Sequence, residues 1–352
     1  MTISYLQTVI LYCLYKLKGE RTISSIYHLL TGKKSSQTIQ DAHLYQLTFL
    51  FQTIPSLDRT VLEHAVELFK DKKWIDAYST ESYALTNKGE EILLSSLKKQ
   101  PFPKYLNGWR YHHMTDRFWK RLSLLIQVCS YLIKKENRYV PIQKCSQTRQ
   151  WIKNFLQTVP CDRNMLAEKL YVELTDSMEN KIDLDPRTFV LRLTGYKKIG
   201  LTPEQAAKKL QMDITLFHFH FLNILHYLIA ESTIHKDRLI ILHTLNGKIM
   251  MPLTNSTRKT YEFLKEGYSI DEIMHVRHLK KGTIEDHLVE IALNDHQFNI
   301  LPFVDERKQE QILHVANKER TKQLKYIKEQ VDNASYFEIR LVLAKLGDEQ
   351  WS

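Results

Sequence analysis

The residues best suited to chemistry are cations interleaved with aromatic rings: Trp109, Arg110, Tyr111, His112, His113, Arg117, Phe118, Trp119, Lys120 and Arg121 fall in one short run. Lysine and arginine neutralise phosphates, and an exposed ring can stack on an unpaired base. The run therefore reads as a phosphate-tracking surface with Trp109 or Tyr111 as a base platform. The same pattern also describes a solvated helix face whose tryptophans lie in the core, which is what charge runs usually are. A second cationic group, Lys280, Lys281 and Thr283, opens a helix, where the positive end of the dipole suits a phosphate. Lys33 and Lys34, which follow Gly32 in a turn, complete the candidate nucleic-acid contacts.

Catalytic and metal-binding patterns are missing from the sequence. A P-loop needs glycine five positions before its Gly-Lys pair, but Tyr27 holds that place and Lys34 follows Lys33. No Gly-x-Ser-x-Gly, His-Glu-x-x-His or paired-carboxylate signature occurs. His218 and His220, two apart, point to different sides of a helix, and His275 and His278 lack a matching carboxylate or thiolate. Cys13, Cys129, Cys145 and Cys161 form no Cys-x-x-Cys pair, so neither a zinc site nor a disulfide framework is expected. The expectation is a protein without enzymatic activity, cofactor, metal or small-molecule substrate, with reduced thiols in the cytoplasm and possible association with the nucleoid. No membrane span or signal peptide is expected either, because the N-terminal apolar stretch Ile3 to Leu14 is broken by Ser4, Gln7 and Thr8.

Composition bounds the elements that must position these residues. The 352 residues, 43% apolar and 26% charged, suit two or three globular units. Only 10 glycines and 9 prolines leave little for the turns of an all-β fold, so the fold class is mainly α. The net charge of +10 favours polyanions. Residues 101–150 hold 10 basic and 2 acidic groups and thus carry most of that excess.

Along the chain, helices are expected over 5–17, from a cap at Ser36, and over about 58–70. Trp74 to Tyr78 and Ser82 to Leu85 alternate as two short strands. Asn87 and Glu90 have capping-box spacing for a return helix. This order describes a winged-helix domain over 1–100, and the run from Tyr83 to Gly89 resembles the wing exit of many such domains. Pro101 and Pro103 mark a linker to a basic helical connector, 101–192. Its first helix would start at Thr115 or Asp116, with a stripe of Phe118, Leu122, Leu125, Cys129 and Leu132 and with Arg117, Lys120 and Arg121 on the other face. A helix-turn-helix-like unit, 193–254, follows from the cap at Thr202-Pro203, and its second helix, Leu216 to Ile229, is apolar enough to be core. The last segment, 255–352, holds the clearest motif. Thr257 to Glu266 is helical, Gly267 closes it, Ser269 to Glu272 opens a second helix, and Lys280 begins a third with Ile284, Leu288 and Ile291 at helical spacing. Glu285, Asp286 and Glu290 are placed on that helix's outer side and would repel DNA. Base reading, phosphate contact alone, and a docking or structural role all remain open for this motif. Two further helices, Glu306 to Val331 and Tyr336 to Leu346, end the chain.

The segment from Thr257 to Leu346, with its Lys-Glu-Gly-Tyr-Ser-Ile-Asp-Glu-Ile core and the Tyr336 to Val342 run, resembles the helix-turn-helix domain at the C-terminus of bacterial RecQ-type helicases. The Leu29 to Thr38 run resembles the start of the YpbB family of Bacillus and its relatives. The resemblance implies an accessory protein, because in this family a separate chain carries the domain and the neighbouring gene typically encodes a short RecQ-type helicase. The implied role is DNA binding, single-stranded or branched, and docking to that helicase in repair or fork processing. A transcriptional regulator with the same motifs is the alternative.

Overall fold

The structure is a computed structural model that describes residues 3–159, 162–179, 181–247, 251–319 and 321–346; Cys161 lies outside the described residues. In chain order the helices are α1 (Tyr5–Leu17), α2 (Ile23–Thr31), α3 (Ser36–Leu44) and, after a 3-10 turn at Thr48–Leu50, α4 (Arg59–Asp71). Strands β1 (Ile75–Ser79) and β2 (Ser82–Leu85) precede α5 (Asn87–Lys99), α6 (Gly108–Ile133), α7 (Ser146–Thr158), α8 (Arg163–Met178) and α9 (Pro186–Val190). Then come α10 (Pro203–Lys209), α11 (Ile214–Ile234), α12 (Ile240–Asn246), α13 (Asn255–Lys265), α14 (Ile270–Arg277) and α15 (Lys281–Asn294). The last helices are α16 (Glu306–Lys318), α17 (Leu324–Gln330) and α18 (Tyr336–Leu346), so the protein is mainly helical. Tertiary contacts gather the chain into two units, one of Met1–Val9 with Leu94–Ile249 and the other of Ile10–Leu93 with Met250–Ser352. The expected boundaries at 100, 192 and 254 follow local breaks in pattern; this grouping follows contacts between distant segments.

In the first unit α6 is the axis, and α7, α8, α11 and α12 pack against it. Its stripe of Phe118, Leu122, Leu125 and Cys129 is buried as expected. The helix starts earlier than expected. Asn107 is the cap, accepting from the Arg110 N–H at 3.1 Å, and the prolines upstream stop further extension. Thr115 and Asp116 are consequently interior, and the Thr115 hydroxyl donates back to the Tyr111 carbonyl at 2.8 Å. Thr202 and Gln205 form a reciprocal capping box on α10, whose Ala206 and Ala207 bury against Phe217. Helix α11 supplies core residues between Leu216 and Ser232, among them Phe217, Phe219, Leu225 and Leu228, while Ile234 at its end is exposed.

In the second unit β1 and β2 pair antiparallel, with Ile75 opposite Leu85 and Ala77 opposite Tyr83. The cap of α5 is Thr86 rather than the Asn87–Glu90 pair. Its hydroxyl accepts from the Gly89 N–H at 3.1 Å and donates to the Lys73 carbonyl at 2.9 Å. Gly89 is required there because a Cβ would lie 2.0 Å from the Trp74 carbonyl oxygen. Ser35, one residue before the expected Ser36, caps α3 by accepting from the Thr38 N–H. The α13–α14–α15 motif forms as read: Gly267 takes φ +90°, Ser269 and Glu272 box the start of α14, and His278 makes the turn at φ 51°. The expected helix from Glu306 to Val331 is broken into α16 and α17. There the Thr321 hydroxyl donates to Glu20 at 3.3 Å and the Lys322 ammonium stands over the Tyr45 ring at 5.6 Å.

Candidate nucleic-acid interface

Two cations of α6 converge on one helix end. Arg117 Nη2 donates to the Asn246 carbonyl at 2.8 Å and Arg121 Nη1 to the Leu245 carbonyl at 2.9 Å. These carbonyls close α12, where the partial negative charge of the helix attracts guanidinium groups. The Arg121 guanidinium also lies over the Trp151 ring at 4.2 Å. Among the described residues neither arginine forms an ion pair with a carboxylate. Burial first, and then the charge of Arg117, bring the Arg121 pKa down to about 10, so it remains a cation at neutral pH. Two adjacent, half-buried charges held by neutral carbonyls leave a positive field. Lys120 contributes less, because Asp116 one turn earlier pairs with it at 2.6 Å.

The aromatic part of the reading needs correction. Trp109 is only 5% exposed and Tyr111 is buried, so neither ring can accept a base. Half-buried Trp119 sits edge-on to Phe221, with centroids 4.9 Å apart. The tryptophans serve the core because the α6 stripe is wider than its strict period suggests. Arg110 is exposed, with its guanidinium 5.6 Å from the Tyr111 centroid, and remains available to phosphate.

In the second unit Lys33 and Lys34 are exposed in the turn between α2 and α3, and Lys33 Nζ lies 3.3 Å from His28 Nε2. At the start of α15, Lys280, Lys281 and Gly282 are exposed and Thr283 is partly so. From Ile284 to Leu293 the helix is enclosed except at the part-exposed Glu285 and Asp286. Ile284, His287, Leu288, Val289, Glu290 and Ile291 are buried, and α13, α14, α18 and α3 all pack on it.

The acidic face assigned to this helix is therefore redrawn. Glu290 is buried and accepts hydrogen bonds from the Thr254 N–H and the hydroxyls of Thr254 and Thr257, which ties α15 to the start of α13. Asp286 accepts from Arg340 Nη1 at 2.6 Å, while Arg340 Nε donates to Gln40 at 2.7 Å. Glu285 remains part-exposed. Trp151 and Arg340 are the residues that sequence reasoning missed, and Glu290 is one that it placed on the wrong side. One signal was readable: Leu245-Asn246-Gly247 is a helix ending, and a helix ending leaves carbonyls for cations to cap.

Elements and exposed cations of this kind define a helix-turn-helix protein, a class whose domain suggests DNA binding. Residues 256–343 match the family described as helix-turn-helix domain. The chain is 34% identical to Protein YpbB of Bacillus subtilis (strain 168) over 352 residues, covering 98% of each chain, and it belongs to that family. No solved structure matches it. Among the described residues no three His, Cys, Asp or Glu side chains converge to hold a metal ion, and no helix is long and apolar enough to cross a membrane.

Proposed function

We propose that this chain is a non-enzymatic accessory partner of a RecQ-type DNA helicase, supplying DNA-binding and docking surface in DNA repair or replication-fork processing in the cytoplasm. In this reading residues 1–100 act as a winged helix, and single-stranded or branched DNA is held by its phosphates. Lys33, Lys34, Arg110, Arg117, Lys120, Arg121, Lys280, Lys281 and Thr283 make the contacts.

The observation that carries the DNA part is the enclosure of α15. Base-edge reading needs several side chains projecting from a helix into the major groove. Beyond its first turn this helix projects almost none, and Lys280, Lys281 and Thr283 suit phosphate. A backbone-gripping protein fits that surface better than an operator-reading regulator. The helicase as partner rests on the resemblance of Thr257 to Leu346 to the helicase-borne domain.

Selection from randomised duplexes tests the first part: an unenriched pool is expected, and a palindromic site preferred by about a thousandfold or more would establish the regulator instead. Recovery of the protein from cells with crosslink mapping tests the second. A RecQ-type helicase crosslinked to it is expected, and its absence from the crosslinked material would remove the partner from the reading.

A further inference from the structure

The first unit carries a surface hollow of about 570 Å³ that none of the DNA contacts uses. The C-terminal half of α6 supplies Ile126, Ser130 and Ile133, α9 supplies Val190, and the turn over 191–201 completes the wall. That turn is rigid. Gly195 and Lys198 exchange backbone hydrogen bonds at 2.8 and 3.1 Å, the Tyr196 N–H donates to Ser130 Oγ at 2.9 Å, and the Leu201 N–H donates to the Leu191 carbonyl at 2.8 Å. Large apolar side chains are thereby held in water: Ile199 is 84% exposed, Val190 55% and Ile133 51%. Lys134, Lys198 and Lys209 stand among them, and no acidic residue lines the hollow. None of these lysines makes an ion pair among the described residues.

We infer that this hollow docks an acidic peptide segment of a partner protein, with aliphatic or aromatic side chains entering it and carboxylates meeting Lys134, Lys198 and Lys209. Ile133, Val190 and Ile199 offer aliphatic contact to a partner's apolar side chains, and the unpaired lysines around them select the sign of the partner's charge. Nucleic acid fits less well. Its phosphates would meet the lysines but leave the aliphatic wall wet, and Tyr196 is the single aromatic ring in the lining. A rigid turn costs little ordering on binding, so a short segment suffices. The inference does not depend on the DNA-binding reading, since it uses neither its residues nor its ligand.

The test uses the full chain, immobilised, and short random peptides displayed on phage, followed by titration of the enriched sequences as fluorescent synthetic peptides. Enriched peptides should combine acidic and large apolar residues. Their affinity should fall at least tenfold for the Lys134→Glu, Lys198→Glu, Lys209→Glu triple variant and for Ile199→Asp, with circular dichroism and melting temperature unchanged. Arg110→Glu should bind them as the parent does. The inference is overturned by no enrichment, by enriched peptides that are basic, or by peptides that bind the triple variant equally well. It is also overturned if the triple variant loses affinity for a single-stranded oligonucleotide or for phosphatidylglycerol vesicles while keeping that for the peptides.

Discussion

Arg117 and Arg121 join two roles that the sequence alone keeps apart, since the same guanidinium groups cap a helix and hold positive charge at a surface. For Arg121→Ala the loss of a carbonyl bond and of the Trp151 contact should lower stability by about 1–2 kcal/mol in urea unfolding, and should shift tryptophan emission because Trp151 loses its cation. His226 makes a pH prediction. Its Nδ1 accepts the Asn107 N–H at 3.0 Å, which needs an unprotonated nitrogen at the start of α6. Burial, followed by the nearby His218 and His112, lowers its pKa from 6.5 to about 3. The unfolded chain thus binds the proton more readily, so the stabilisation is complete above about pH 6.5 and declines as pH falls towards 3. The urea midpoint should be lower at pH 5 than at pH 7, and His226→Gln should flatten that difference. Charge type was legible in the sequence at this scale. Burial of Trp109 was not, because a helix of 26 residues has room for aromatic residues on more than one side of its apolar stripe.

Helix α15 shows what an element loses when its neighbours are unknown. Read alone, it is a third helix with acids outward; folded, Glu290 and Asp286 tie it to neighbouring helices and Glu285 alone of the three stays without such a tie among the described residues. Arg340→Met should cost about 1–3 kcal/mol in chemical unfolding, because Asp286 and Gln40 would each lose a partner in a partly buried place. In contrast, Lys280→Glu with Lys281→Glu should leave stability unchanged and reduce the slope of log affinity for single-stranded DNA against log salt by about 0.7 per lost phosphate contact, or about 1.4 in all. A titration of single-stranded DNA over a range of salt measures that slope, and an unchanged slope would remove α15 from the interface. Some helix starts were readable here because caps are local: Thr202 and Ser269 lie where spacing puts them, and the helix expected from about residue 58 is capped by Asp58, whereas the starts of α3, α5 and α6 were misplaced. The interruption between α16 and α17 was not readable, since it accompanies contacts of Thr321 and Lys322 with Glu20 and Tyr45, some 300 residues earlier.

At the scale of the molecule, the second unit is organised by contacts between segments far apart in the sequence, 10–93 and 250–352. Helix α3 lies against α15 and α18, so the helix-turn-helix segment completes its core with residues from the N-terminal part. A fragment of residues 250–352 should therefore be less cooperative than the same segment in the full chain. Amide exchange in α15 should be the measure, with protection lost in the fragment and restored when residues 10–93 are supplied. Full protection in the fragment alone would show that α3 is dispensable to the motif. The basic segment 101–150 behaves differently: its main helix is the axis of the other unit, so its charge lies on a scaffold rather than on a linker.

Local chemistry determined much of the element order of this protein: several helix starts, the helix-turn-helix over 255–294, the strand pair, and the concentration of positive charge in one segment. Those properties depend on neighbours within a few positions, which a sequence displays directly. Tertiary structure alone decided which charges reach solvent, which rings are sealed, and that the third helix of the motif offers only its first turn. Burial depends on what packs from far along the chain, and neither periodicity nor charge count carries that information.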